Sequence, residues 1–284
     1  MKAIGRLLRV ELYHFFSRRF FIIAVAIIVT VTPLIAAVRV GFRKAELESA
    51  YRTVHALHVF AYGAQAGLML ATYLAVAFAG MSFAGEFDHG TIKNILTRPV
   101  RRRDVFWAKC LMSMGVLFFF QLLALYAALL YGSLVGDLGH VWSRDHYVVS
   151  LTLDQLTPAA WKAVGVAFPA GVAAVGISLW ISNLTESSGW AVTSALVVMI
   201  LLDLSAGTVP PPVVTADFFF YPRYAFDVFA SISAGSSHVS WDEAILSTSW
   251  GWLTLPRFLV FPLLTAGVAV GLAYPVFRFK DVDA

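Results

Sequence analysis

The chain has 284 residues, of which 59% are hydrophobic and only 13% are charged, and its formal net charge is +4. A soluble domain carries about 25% charged residues, so this chain lacks the polar side chains that a water-exposed surface requires. Its many aromatic residues exclude general disorder. Its small positive charge lies largely beside apolar runs, which is not typical of a nucleic-acid-binding protein. The composition therefore predicts a membrane protein.

The first predicted element, residues 2–17, is an amphipathic helix that lies in the membrane interface. Its apolar face consists of Ile4, Leu7, Leu8, Leu12, Phe15 and Phe16. We expect its charged residues mostly on the other sides, namely Lys2, Arg6, Arg9 and Glu11. Arg18 and Arg19 then mark the edge of the membrane.

Long apolar runs follow along the whole chain, and a helix needs ~20 such residues to cross ~30 Å of hydrocarbon. The runs are continuous rather than alternating, which favours helices over a barrel. We predict one all-α polytopic transmembrane domain over residues 1–284. Its six spans cover residues 20–38, 60–83, 105–131, 160–181, 189–204 and 257–276.

The placement of lysine and arginine predicts the orientation, because cytoplasmic loops are enriched in both. With the N-terminus inside, 13 of the 21 Lys and Arg residues are cytoplasmic. The predicted cytoplasmic anchors around the start of the third span are Arg101, Arg102, Arg103 and Lys109. The sequence thus predicts a cytoplasmic (inner) membrane protein with both termini in the cytoplasm.

Two features are predicted on the outer side. The aromatic-rich segment 205–256 favours helices at the outer interface, with a substrate vestibule as the alternative. Asp203 is the candidate intramembrane polar residue, although its place near the end of the fifth span also fits the interface.

The cytoplasmic segment 85–104 carries the most specific pattern. Gly90 allows a turn and Thr91 is able to cap a helix. Ile92, Ile95 and Leu96 then form an apolar face, and a proline at position 99 ends the helix. An apolar ridge on an exposed helix indicates a protein partner.

This segment resembles the first cytoplasmic loop of type-two ABC exporter permeases. The matching positions are Glu86, Gly90-Thr91, the apolar stretch 92–96, Pro99, Arg101-Arg102 and Lys109. Two departures are mild, since Ala108 stands where glycine is common and Arg-Arg replaces Ser-Arg. Within the family, the loop looks most like permeases grouped with multicopper-enzyme maturation.

The resemblance implies that a separate ABC ATPase subunit binds the loop and that a second permease copy, identical or related, completes the transporter. The implied ATPase contact comprises Glu86, Phe87, Gly90, Thr91, Ile92, Ile95, Leu96 and Pro99. ATP and magnesium would bind the partner, because this chain has no P-loop motif. We expect no cofactor, metal site or catalytic activity in the chain itself.

Other interpretations remain open from the sequence. The loop is also compatible with a plain amphipathic connector that carries orienting charges. The whole chain is also compatible with an ATP-independent secondary transporter or channel, or with a membrane scaffold that recruits cytosolic partners. The near absence of charge within the spans disfavours the transporter alternative.

Overall fold

The protein is described by a computed structural model that covers residues 2–17, 19–50, 56–90, 101–136, 141–142, 149–151, 153–206 and 255–280. The helices are α1 (Lys2–Ser17), α2 (Arg19–Ala50), α3 (Ala56–Asp88), α4 (Arg102–Val135), α5 (Leu153–Leu184), α6 (Ser188–Ala206) and α7 (Leu255–Phe279). Two short antiparallel strands, β1 (Val141–Trp142) and β2 (Val149–Leu151), pair between α4 and α5.

Within the described residues, five helical stretches are long and apolar enough to cross a membrane. They are Arg19–Phe42, Val59–Asp88, Arg102–Val135, Ala167–Leu184 and Leu259–Phe279. A further apolar stretch on α6, Ser188–Leu202, is shorter. The helical, multi-pass architecture is therefore confirmed, while the sixth crossing stays a prediction.

The helices extend beyond the predicted spans. α2 continues to Ala50 and α3 continues to Asp88, so Glu86 lies on the last turn of a long helix rather than in a loop. Hydropathy marks only the apolar part of a helix, and polar residues at its ends remain helical without contributing to that signal. Most of the outer segment, residues 207–254, lies outside the described residues.

α3 is the central helix and packs against α2, α4, α5 and α6. It is rich in small residues, and Ala64, Ala71, Ala75 and Ala79 are fully buried. Small side chains let membrane helices approach closely, and dispersion contacts then stabilise the packing. The single cysteine, Cys110 on α4, is buried in the same core.

α1 packs against the helical bundle through part of its predicted apolar face. Phe15 is buried, with its ring centroid 5.0 Å from that of Phe78 on α3 and 6.1 Å from that of Phe120 on α4. Leu12 and Phe16 are exposed instead. The location of α1 in the membrane interface remains a prediction, and this packing is compatible with it.

The outer surface of the bundle exposes large apolar side chains. Ile22 on α2, Trp190 on α6 and Val268 on α7 are 64%, 72% and 62% exposed. Such a surface fits a lipid solvent, because hydrocarbon around a span carries no penalty for exposed apolar area.

The α3–α4 contact predicts a stability difference between two glycines of the same helix. A Cβ at Gly132 would lie 2.8 Å from the backbone oxygen of Ala56, whereas one at Gly115 would meet nothing within 4 Å. We expect Gly132→Ala to lower the free energy of unfolding by about 1–3 kcal/mol through overpacking. The matched control Gly115→Ala should leave it unchanged or raise it by up to about 1 kcal/mol. Thermal unfolding in detergent micelles measures both, and equal midpoints for the two variants would contradict the packing.

Candidate functional site

The candidate site is built on the last turn of α3. The helix ends at Asp88, and Gly90 follows with a φ of 63°, the left-handed conformation that commonly ends helices. The amide of His89 donates to the Gly85 carbonyl at 3.2 Å, and the amide of Gly90 donates to the Phe87 carbonyl at 3.1 Å. The turn predicted at Gly90 is therefore present.

Of the predicted ATPase-contact residues, the structure describes Glu86, Phe87 and Gly90. The others lie outside the described residues, namely Thr91, Ile92, Ile95, Leu96 and Pro99. Asp203 lies on α6. The role predicted for each of these residues stays a prediction.

Three consecutive residues at the end of α3 contact different parts of the molecule. Successive side chains on a helix point about 100° apart, so Glu86, Phe87 and Asp88 face three directions. Glu86 contacts Lys109 on α4, which also pairs with Glu11 on α1, while the partners of Phe87 and Asp88 lie after α7 and on α6. We call Glu86, Phe87, Asp88 and these partners the α3 junction.

The first contact is a buried charge cluster. The ammonium of Lys109 on α4 lies 2.5 Å from Glu86 Oε1 and 3.1 Å from Glu11 Oε1 on α1. The Lys109 side chain is only 4% exposed, while those of Glu86 and Glu11 are 16% and 26% exposed. A buried cation is strongly unfavourable unless it is paired, so the two carboxylates fix α1 and α3 against α4 at this point.

The second contact joins the end of α3 to the residue after α7. The Lys280 ammonium lies 4.0 Å from the centroid of the Phe87 ring, within the range of a cation–π interaction. It also donates to the carbonyl oxygens of Asn183 and Thr185, at 3.2 and 3.4 Å. Asn183 lies in the last turn of α5 and Thr185 directly follows the helix, so both carbonyls are at the C-terminal end, where the helix dipole favours a cation. Burial lowers the pKa of Lys280, and the charge of Glu186 acts in the opposite direction.

The third contact caps α6. Asp88 Oδ2 accepts hydrogen bonds from the hydroxyl of Ser188 at 2.6 Å and from its amide at 3.3 Å. Ser188 is the first residue of α6, where a negative charge interacts favourably with the helix dipole and with unpaired amides. A side chain of α3 therefore caps the N-terminus of α6.

The predicted anchoring residues separate into two environments. Arg101, Arg102 and Arg103 are exposed, whereas Lys109 is buried. One nitrogen of the Arg102 guanidinium donates to the carbonyl oxygen of Arg278 at 3.0 Å and lies 3.4 Å from that of Lys280. This contact ties the start of α4 to the end of α7.

Sequence reasoning missed several partners in the α3 junction. Glu11 was expected mostly away from the apolar face of α1, but it lies beside Leu7, Leu8 and Phe15 on the face that packs against the bundle. A carboxylate within an apolar face was the available signal for a buried partner. Ser188 and Lys280 carried no such local signal, because their partners are about 100 and 200 residues away in the sequence.

The α3 junction consists of contacts between helices. Its carboxylates bind a lysine and a helix terminus, and the described part of the chain contains no group of three or more potential metal ligands. The arrangement joins α1, α4, α5, α6 and the end of α7 to the last turn of α3.

Comparison with known proteins gives the class. Residues 7–201, more than half of the chain, match the family described as ABC-2 family transporter protein. The chain belongs to this family of membrane permeases, whose members are normally non-catalytic subunits. The type-two ABC permease resemblance seen in the sequence is thus confirmed at the level of the family.

A more specific likeness is short. The chain is 41% identical over 61 residues to an uncharacterized membrane protein, YdbK, of Bacillus subtilis strain 168. The matched segment covers 22% of this chain and 25% of that protein. The chain therefore matches about a quarter of the length of this relative.

The charge cluster predicts that replacing Lys109 strongly destabilises the protein. We expect Lys109→Met to lower the free energy of unfolding by about 3 kcal/mol, because it leaves two carboxylates partly buried without their cation. Adding Glu11→Gln and Glu86→Gln should recover most of that loss, since the uncompensated charges are then removed. Chemical unfolding of the purified chain in detergent measures each variant.

The matched control for this prediction is Arg103→Met on the same helix. Arg103 is exposed, and its ion-pair partner among the described residues is its neighbour Asp104 at 3.6 Å, so we expect a change below about 1 kcal/mol. If Lys109→Met and Arg103→Met destabilised the protein equally, the ion pairs would not hold the junction together.

Proposed function

We propose that this chain is the transmembrane subunit of an ATP-driven exporter, which couples ATP hydrolysis by a separate ATPase subunit to substrate movement. Membership of the ABC-2 transporter family supports the permease role. The loop pattern from Glu86 to Lys109 supports a docking site for the ATPase.

The observation that carries the proposal is the α3 junction. The segment that the sequence marks as the ATPase contact begins on the same helical turn whose side chains hold α4, α6 and the end of α7. A docked ATPase that moves this segment therefore pulls directly on helices that form the membrane domain. A plain connector between two spans would need no such set of contacts.

The partners follow from the same proposal. The ATPase subunit supplies the ATP and magnesium sites, since this sequence has no P-loop motif. In the proposed mechanism ATP drives two ATPase subunits to close on each other, and the transporter then contains two permease copies, either identical or related. We also propose that this chain is related to the permeases grouped with multicopper-enzyme maturation. This relationship does not assign a substrate.

The proposal also fixes the orientation, with both termini and the end of α3 in the cytoplasm. We expect green fluorescent protein fused after the C-terminus to fluoresce, and alkaline phosphatase fused at the same position to be inactive. The physical reason is the excess of Lys and Arg on that side of the membrane. Active phosphatase with a dark fluorescent fusion would place the α3 junction on the wrong side for an ATPase.

The coupling contact is tested by placing charge on the predicted apolar ridge. We expect Ile92→Asp combined with Ile95→Asp to abolish co-purification with the proposed ABC ATPase subunit and the stimulation of its ATP hydrolysis. Each buried apolar anchor contributes roughly 1.5–3 kcal/mol, so two aspartates should weaken binding more than 100-fold. Association is measured by pull-down and hydrolysis by phosphate release.

The matched control is Asn94→Asp, which adds charge on the opposite side of the same predicted helix. It should retain association and hydrolysis within about twofold, because a solvated charge changes binding little. Unchanged association in the double variant would refute the contact. If the unmodified chain binds the ATPase without stimulating it, a scaffold is favoured. If the unmodified chain does not bind or stimulate the ATPase at all, an ATP-independent transporter or channel is favoured.

A further inference from the structure

Ser182, near the end of α5, makes an unusual set of hydrogen bonds to the backbone of α3. Its hydroxyl donates to the carbonyl oxygen of Gly80 at 2.6 Å. It accepts from the amides of Phe83 and Ala84 at 3.1 and 3.0 Å. Gly80 and Ala84 are four residues apart, so they are the carbonyl and the amide that pair in an uninterrupted α-helix. Ser182 is fully buried, and its hydroxyl bridges the carbonyl of Gly80 and the amide of Ala84.

Other hydroxyls in the described helices behave differently. Thr72, Thr193 and Thr265 each donate to the carbonyl four residues earlier in their own helix, which is the usual arrangement in membrane helices. Ser178, one turn before Ser182, also reaches α3, where it donates to the carbonyl of Val76 at 2.7 Å. Among the described contacts, the Ser178 hydroxyl accepts no hydrogen bond from a backbone amide of α3. It therefore contacts α3 without bridging a carbonyl and an amide of that helix.

The contact of Ser182 with α3 lies one turn before the end of that helix. Helices bend where a side chain enters the hydrogen-bond ladder, because the ladder no longer fixes the two halves relative to each other. Only the turn from Ala84 to Asp88 lies beyond the Ser182 contact, and this turn carries Glu86, Phe87 and Asp88. The part before the contact is held tightly, since a Cβ at Gly80 would lie 3.2 Å from the Cα of Val192 on α6.

We propose that Ser182 is a positioning residue that makes the end of α3 a hinge. In one state the hydroxyl bridges Gly80 and Ala84, as described above. In the other state it withdraws, the direct hydrogen bond between these residues forms, and the last turn changes its tilt. This inference rests on the proposed function, because it assigns the hinge the task of passing ATPase movement to the α3 junction.

The hinge itself is tested without the ATPase. Amide hydrogen exchange is measured on the purified full chain in lipid nanodiscs, with Ser182→Ala, Ser182→Cys and Ser178→Ala beside the wild type. A thiol is a weak donor and acceptor of similar size, so Ser182→Cys tests the hydroxyl without leaving a cavity. We expect both Ser182 variants to slow exchange over residues 83–88 about fivefold, the equivalent of one ordinary hydrogen bond. Ser178→Ala should leave exchange there unchanged.

The role in coupling is tested with the ATPase bound. We expect trapping the ATPase with nucleotide and vanadate to change exchange over residues 83–88 in the wild type and in Ser178→Ala, but not in the Ser182 variants. ATP hydrolysis stimulated by the permease should fall about fivefold in the Ser182 variants alone. A merely structural hydroxyl would lower thermal stability without removing the nucleotide-dependent change.

The possible failures are distinguishable. If the Ser182 variants exchange like the wild type in the absence of ATPase, or if Ser178→Ala slows exchange equally, the hinge is overturned whatever the ATPase does. If the hinge is observed but the wild-type chain neither binds nor stimulates the ATPase, the proposed function fails and the assignment of the hinge to coupling fails with it.

Discussion

The structure depends on the charge of Lys109, which is buried and must be compensated. At 2.5 and 3.1 Å from two carboxylates, its ammonium requires that α1 and α3 both stay in place against α4. Apolar burial drives helix association less in a membrane than in water, since lipid tails are as apolar as the side chains that they contact. The ion pairs therefore fix the register of three helices at one level of the bundle.

Around this point, α3 combines close packing in its middle with the hinge that we propose near its end. Its buried alanines hold the middle of the helix firmly, while its last turn is attached through side chains and follows the Ser182 hydroxyl. With the proposed hinge, the last turn of α3 would move while the packed middle of the helix stays in place. This division agrees with the general observation that moving elements come from the less stable parts of a structure.

Sequence reasoning predicted the helical membrane architecture and the turn at Gly90, because hydropathy and glycine conformation are local properties. It also identified Glu86 and Lys109 as significant, through the family pattern rather than through their contact with each other. It could not pair Glu11 with Lys109, Asp88 with Ser188, or Lys280 with Phe87, because those pairs depend on how distant helices pack. Ser182 carried no signal at all, since a serine in an apolar run usually bonds its own helix.

The burial of Cys110 has a practical consequence. Thiol reagents act on accessible thiolates, and this sulfur is enclosed by the core at 4% exposure. The natural chain, which has no other cysteine, is thus already a silent background for labelling. Reporter groups attached to cysteines introduced one at a time will describe only the chosen position, with the native sulfhydryl and its packing left intact.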